Sequence, residues 1–346
     1  MNLKNDIRKF SAKELIEEFQ KMQEPKFRAK QVHEWLWKKS ARSFDEMTNL
    51  SKALRTKLTE QFAFYSVTEN IIQKSLDGTV KLGMKLHDDR LVEGVMIPDD
   101  ERNTACVSSQ VGCTLSCTFC ATGFLKRERN LEAGEIYDQV VLLNKHALEH
   151  SGKGLTNIVY MGMGEPLLNY DNVMQSIRYI TSSDGLNMAQ KRITVSTSGV
   201  VRGIKRLADE GMKFNLALSL HAPTNEKRNK IMDINQSNPI EEVMDALNYF
   251  YQKTGNKITF EYILFDKFND SIEDADRLYY LTDQVPSFVN IIEFNNVTGV
   301  DLRKAKRENR DAFVAHLREK EVNVAIRRSR GKDIDAACGQ LANKND

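Results

Sequence analysis

Apolar side chains recur every three to four positions through SAKELIEEFQKM (11–22), RAKQVHEWLWKKS (28–40) and residues 51–62. That spacing predicts short helices with one buried face. Near residue 80 the period drops to two in TVKLGMKL and RLVEGVMIP, which read as strands and place a domain boundary there. Beyond them, apolar runs alternate with amphipathic stretches. The runs are TACVSSQ, TNIVYMG, RITVSTS, KFNLALSL, KITFEYILF and FVNIIEF. Helices are expected near 132–148, from Tyr170, from Val200, from Pro239, from Ser271 and over 303–319. Repeated strand–helix units imply an α/β fold whose parallel sheet is covered by helices. Six such strands fall short of the eight in a closed barrel, so a partial, open-sided barrel is expected. Its opening would admit a substrate larger than a metabolite.

The 346 residues suffice for one large domain and a smaller appendage, and the formal net charge is +2. Charge is segregated. Residues 1–60 hold 14 Lys and Arg against 9 Asp and Glu, and residues 301–332 hold 11 against 5. The second block includes Arg303, Lys304, Lys306, Arg307, Arg327, Arg328 and Arg330. Either block alone reads equally well as a solvated helix face. Two of them bracketing a balanced middle favour a polyanion such as RNA as partner. The opening MNLKNDIRKF is too charged for a signal peptide, and no apolar run of about 18 residues could span a bilayer. A cytoplasmic protein without membrane contact is therefore expected. Trp35 and Trp37 could stack on bases, but an aromatic pair within a helix is more often core.

Five cysteines in a reducing compartment are poor candidates for structural disulfides, and four of them crowd into 106–120. Cys113, Cys117 and Cys120 form a CxxxCxxC triplet just after the first barrel strand. Structural zinc would need a fourth ligand, and the nearest histidines, His87 and His146, lie well outside the loop. A 4Fe-4S cluster held by three thiolates keeps one iron open, which can chelate S-adenosylmethionine (SAM) through its amino and carboxylate groups. The spacing resembles the signature of the radical SAM superfamily, whose partial barrel agrees with the strand count.

Polar groups gather at four strand ends, the face where ligands of such folds bind. Strand TNIVYMG runs into Gly162, Gly164 and Glu165; glycine permits close approach and the carboxylate can pair with the ammonium of SAM. Ser196 and Ser198 end RITVSTSG, Ser219, Leu220 and His221 end NLALSLH, and Asn295 ends FVNIIEFN. Any one alone would more often be a turn or cap residue.

Cys106 and Cys338 are surplus to a three-thiolate cluster. With them, the segments VEGVMIP, CVSSQVGCTLSCTFCATG, MGMGEPLLN, STSGVV, LALSLHAP and IDAACGQL make the chain resemble the RlmN/Cfr family of radical SAM RNA methyltransferases, and within it the adenine carbon-2 branch. The resemblance implies two SAM molecules per turnover. One methylates Cys338; the other yields a 5′-deoxyadenosyl radical that takes hydrogen from that methyl, and the carbon radical adds to adenine. It further implies Glu93 as the base that removes the carbon-2 proton and Cys106 as the thiol that resolves the covalent adduct by disulfide formation. By themselves Glu93 reads as a strand carboxylate and Cys106 as a small buried hydrophobe. The implied substrates are 23S rRNA and tRNA, the implied electron donor a protein such as flavodoxin, and a monomer is expected.

The resulting layout is a basic helical accessory domain over 1–80 for RNA binding, connecting strands with the base over 81–98, a radical SAM core over 99–331, and a segment with the methyl-accepting cysteine over 332–346. Two departures from the family pattern stand out: Asn296 follows Asn295 where many relatives have proline, and FLKRERNL is unusually charged. The competing readings are a carbon-8 methyltransferase sharing all five cysteines, and a non-enzymatic iron-sulfur or zinc module that binds RNA.

Overall fold

The computed structural model describes residues 4–343. Three helices come first: α1 (Ala12–Lys21), α2 (Lys26–Trp37) and α3 (Lys52–Gln61). Ser11 and Glu14 close α1 with a reciprocal capping box, and Ser51 caps α3 through the Leu54 amide. Their apolar faces do not form a separate core. Trp37 is fully buried, stacked on Tyr179 with ring centroids 3.5 Å apart and edge-on to Tyr137.

Strands β1 (Thr68–Lys74), β2 (Val80–Lys85), β3 (Leu91–Asp99) and β4 (Arg102–Cys106) follow as an antiparallel meander. A small ladder, β5 (Gln110–Val111) with β6 (Arg129–Asn130), frames the cysteine loop. Helices and strands then alternate: α4 (Ala133–Ser151), β7 (Asn157–Tyr160), α5 (Tyr170–Thr181), β8 (Ile193–Thr197), α6 (Val201–Asp209) and β9 (Asn215–Ser219). The series closes with α7 (Asn225–Ile231), α8 (Ile240–Thr254), β10 (Ile258–Leu264), α9 (Ile272–Asp283), β11 (Ser287–Glu293), α10 (Arg307–Glu319) and β12 (Val324–Arg327).

Ten strands form one sheet in the order β1-β2-β3-β4-β7-β8-β9-β10-β11-β12, parallel from β4 onward. One residue from each parallel strand lines a single cavity: Cys106, Tyr160, Ser196, Ser219, Glu261, Ile292 and Arg327. The sheet must therefore curl around it. Its edges β1 and β12 do not pair with each other, so the result is a partial barrel, as expected.

Three element expectations need correction. There are seven parallel strands rather than six, because Val324–Arg327 pairs with β11; its flanking arginines masked a short strand of alternating residues. Residues 68–74 are strand, not helix, so helical structure in the first 80 residues stops at Gln61. TACVSSQ leaves the sheet at Cys106, and its Gln110 pairs with Asn130 instead.

The chain after β12 crosses the gap between the sheet edges. The Gly331 amide donates to Asp77 at 2.9 Å, and the Ser75 hydroxyl donates to Asp333 at 2.5 Å. This crossing carries Cys338 over the carboxyl ends of the strands.

Candidate active site

The triplet loop is held from below by Phe119, which lies between two of its cysteines. Its buried ring meets His221 edge-on at 4.9 Å and packs beside Phe265 in a small apolar cluster against which Cys117 and Cys120 also rest. Two glycines allow the loop to fold so tightly. A Cβ on Gly123 would stand 2.6 Å from the Cys117 carbonyl, and one on Gly112, at φ +72, would stand 2.4 Å from that of Lys126. Burial pushes the Cys113 thiol up to about 11 and the Cys117 thiol further, with repulsion from the neighbouring cysteines adding to both.

Among the described residues no three His, Cys, Asp or Glu side chains converge as a single metal ion requires. Cys113, Cys117 and Cys120 line one cavity, and three thiolates from one short loop suit a cluster in which each would bind its own iron. The charge environment agrees. Arg228 is fully buried and is held by oxygens without charge: the carbonyls of Ser198 at 2.6 Å, Leu220 at 3.1 Å and Ser219 at 3.2 Å, and the Asn235 amide at 2.8 Å. Burial lowers its guanidinium to about 10, which still leaves it charged at neutral pH. A buried cation with no carboxylate bonded to it fits an anionic group bound at the thiols.

Beside the loop, Gly164 at φ +94 admits no side chain, since a Cβ would lie 2.5 Å from Cβ of Gln110. The Gln110 side chain in turn accepts the Glu165 amide at 3.0 Å. The Glu165 carboxylate is buried and accepts from the amides of Leu167 at 3.0 Å and Ser198 at 2.7 Å. Burial raises its pKa, while those donors oppose the rise. The Thr197 and Ser198 side chains also donate to the carboxylate. Ser196 and Ser219 face each other at 3.2 Å. His221 takes a left-handed conformation at φ +56 and accepts the Ile263 amide at Nδ1, which assigns its proton to Nε2. Burial, then Arg228, lowers the ring to about 3, so it is neutral.

Cys106, Cys113, Cys117, Cys120, Cys338, Gly164, Glu165, Ser196, Ser219 and His221 thus border one cavity. All five cysteines are free thiols. Burial pushes Cys106 up to about 11, with Arg327 opposing. Cys338 is pushed upward by the protein around it, then by the Cys120, Cys106 and Glu261 charges, yet its surface is open to the cavity. Water reaching the sulfur moderates that rise.

Three expected site residues lie elsewhere. Leu220 has its side chain in the hydrophobic core and borders the cavity only through its neighbours. Asn295 donates to the Cys338 carbonyl at 3.2 Å, holding the terminal segment rather than lining the cavity. Glu93 points at that same segment, and its Oε2 accepts the amides of Ala342 at 2.8 Å and Asn343 at 3.2 Å.

Among the cavity residues that were not expected, two are charged groups on barrel strands. Glu261 sits inside the barrel, hydrogen-bonded by Asn290 at 2.9 Å and raised by burial. Its signal was a carboxylate in the middle of the apolar strand KITFEYILF. Arg327 reads as part of a surface charge block, but its place at the end of β12 turns it toward the cavity. The rest of that block is partly neutralised, because Lys304, Arg310 and Lys332 converge on Glu293. FLKRERNL is likewise partly neutralised by residues outside it: Arg129 binds Asp88 and Glu135, and Glu128 binds Arg90.

Known proteins resemble this chain in sequence and fold. Residues 107–279 match the radical SAM superfamily, and residues 5–63 match the ribosomal RNA large subunit methyltransferase N-terminal domain. A probable dual-specificity RNA methyltransferase RlmN from Cytophaga hutchinsonii is 54% identical over 99% of this chain and 93% of its own. The chain belongs to the RlmN family of the radical SAM superfamily. An RlmN-family relative from Halalkalibacterium halodurans is 46% identical over 93% of this chain and 88% of its own. The crystal structure of a radical SAM methyltransferase from Sphaerobacter thermophilus superposes with a TM-score of 0.93 at 38% identity, covering 98% of this chain and all of that one. Membership of the radical SAM superfamily implies a 4Fe-4S cluster and SAM as cofactors, and the donor set of this cavity fits both. Among the described residues no helix is long and apolar enough to cross a membrane.

Proposed function

We propose that this RlmN-family chain, a radical SAM RNA methyltransferase, methylates carbon 2 of adenine in 23S rRNA and tRNA by way of a methyl group carried on Cys338. The observation that carries the reading is the placement of Cys338 on the cavity wall with the cysteine triplet, close enough to Cys106 and Cys120 for their charges to act on it. Carbon 2 of adenine is electron-poor and cannot attack a sulfonium methyl, so a carrier thiol that can be activated by radical chemistry is needed.

Cys113, Cys117 and Cys120 would hold the 4Fe-4S cluster. Gly164, Glu165, Ser196, Ser219 and His221 would hold SAM, Glu165 taking its ammonium. When bound together, cluster and SAM supply the 5′-deoxyadenosyl radical that takes a hydrogen atom from the methyl on Cys338. Cys338 acts first as nucleophile and then as covalent tether to the base. Glu93 accepts the carbon-2 proton once the adduct radical has given up its unpaired electron, for which the oxidised cluster, when bound, would be the acceptor. Cys106 then attacks the Cys338 sulfur: its electron pair makes the disulfide, and the pair of the sulfur–carbon bond leaves with the methylene, which takes up a proton. Reduction by an external donor such as flavodoxin resets both thiols. The layout outlined from sequence assigns RNA gripping to the basic helices before β1, and a cytoplasmic monomer suits such an enzyme.

The test is anaerobic reconstitution with SAM, reductant and unmodified RNA. Wild type should yield 2-methyladenosine, identified by mass spectrometry against carbon-2 and carbon-8 standards. Cys106→Ala should instead accumulate a protein–RNA adduct visible on a denaturing gel. Absence of both SAM cleavage and adduct from protein with a verified cluster would remove the proposal in favour of a binding module.

A further inference from the structure

We propose that Lys81 is a positioning residue for this reaction: it fixes the Glu93 base and, together with it, clamps the segment carrying Cys338 on both sides. This rests on the functional reading above. In the β2–β3 register Glu93 lies opposite Gly83, and Lys81 stands two residues along β2, on the same face. Gly83 has no side chain, so the lysine stem can reach diagonally across to the carboxylate. Lys81 Nζ lies 3.5 Å from Glu93 Oε1, with both side chains about 5% exposed. Among the described residues no other cation lies within ion-pair distance of Glu93. A carboxylate and an ammonium taken out of water together hold each other in place, because either one left alone would be strongly unfavourable.

The pair also divides the terminal segment between its members. Lys81 donates to the Asp335 carbonyl at 3.4 Å, three residues before Cys338. Glu93 accepts from Ala342 and Asn343, four and five residues after it. One ion pair therefore fixes the segment on both sides of Cys338, outside the nearer anchors at the Cys338, Gly339 and Leu341 carbonyls. For Glu93 to take a proton from the substrate, its oxygens must exchange the two tail amides for the base. Lys81 keeps the carboxylate at its post during that exchange while holding the other end of the segment. The methylated sulfur and the base thus stay in register.

The experiment compares Lys81→Met, Lys81→Arg and wild type as reconstituted holoenzyme with SAM, reductant and unmodified RNA. Three quantities are read: methylation of Cys338 by mass spectrometry, breakdown of the covalent adduct on denaturing gels, and amide exchange at residues 342–343. Cys338 methylation precedes any proton removal from carbon 2, so it should persist in K81M. Adduct breakdown should slow by about 100-fold, the usual order for losing a well-placed general base, although Cys106 is intact. Exchange at Ala342 and Asn343 should rise by about tenfold or more as the local clamp opens. K81R should restore both. Should K81M not fold, Lys81→Gln supplies the same comparison. Wild-type adduct breakdown with unchanged exchange in the uncharged variant would overturn the assignment, as would equal impairment in K81R. If wild type itself shows no methyl on Cys338, it is the functional reading that falls, and the exchange data still judge the clamp.

Discussion

Gly164 shows how a single position can be decided twice, once by backbone and once by space. Its φ of +94 is unfavourable for any L side chain, and a Cβ would meet Gln110 at 2.5 Å. Gly164→Ala should therefore lower unfolding free energy by about 1–3 kcal/mol, read as a shifted denaturant midpoint. Because Gln110 also anchors the Glu165 amide, calorimetric titration should show weaker SAM binding in the same variant. The cysteine triplet, Gly164 and Glu165 were legible in sequence because their spacing is local, within one loop or one strand end. Glu261 and Arg228 were not, since a charged residue in a strand or short helix does not announce which way it points. Only the curl of the sheet turns Glu261 inward, and only the packing of α7 beneath the strand ends buries Arg228.

At the scale of elements, the segment after β12 behaves as a strap, pinned by the β1–β2 turn, the cysteine loop and β3. The Ala121 amide donates to the Gly339 carbonyl at 2.7 Å, and the Thr122 hydroxyl to that of Leu341 at 2.6 Å. Asp77 supplies the first pin. Partial burial pushes its carboxyl up, but hydrogen bonds from Thr79 and the Gly331 amide outweigh it and hold it at about 2 instead of 3.8. The folded value lies below the unfolded one, so this contribution is complete above about pH 4 and is lost as pH falls toward about 2. Amide exchange across residues 331–343 should accelerate through that window, and Asp77→Asn should reduce this pH dependence to the share of Asp333, whose carboxyl Ser75 and the Leu76 amide also hold below its usual value. Strand β12 and the strap escaped the sequence reading for one reason. Both are short and non-local, so their structure comes from partners far away in the chain, such as Asp77 and Glu93 for the strap.

For the whole molecule, the N-terminal helices and the barrel share one hydrophobic core rather than meeting as separable parts. Trp37 is the joint, stacked on Tyr179 and edge-on to Tyr137. Truncating it should remove about 3–5 kcal/mol, measured by urea unfolding. Arg8 adds a buried ion pair to Asp138 at 2.8 Å. Since β1 belongs to the main sheet, deleting the first 75 residues would damage the barrel, and RNA binding is better tested by charge reversal. Lys26, Lys30 and Lys38 are exposed on α2 and at its end, and none of them forms an ion pair with the described residues. Replacing all three with Glu should weaken RNA binding. The slope of log affinity against log salt should flatten by about 0.7–0.9 for each RNA phosphate that a lysine no longer neutralises. Filter binding across salt concentrations would show it. An unchanged slope would place the RNA path elsewhere.

Two kinds of information meet in this chain. Sequence alone determined the α/β class, the open parallel barrel, the cysteine-triplet loop and the polar strand ends, because hydrophobic period and residue spacing are properties of neighbouring residues. Tertiary structure alone decided that Arg327 and Glu261 face the cavity, that Asn295 holds the tail, and that Glu93 meets Lys81 across a glycine. Those facts depend on strand register and sheet curvature. Both are set by packing among residues far apart in the chain, where no local pattern can record them.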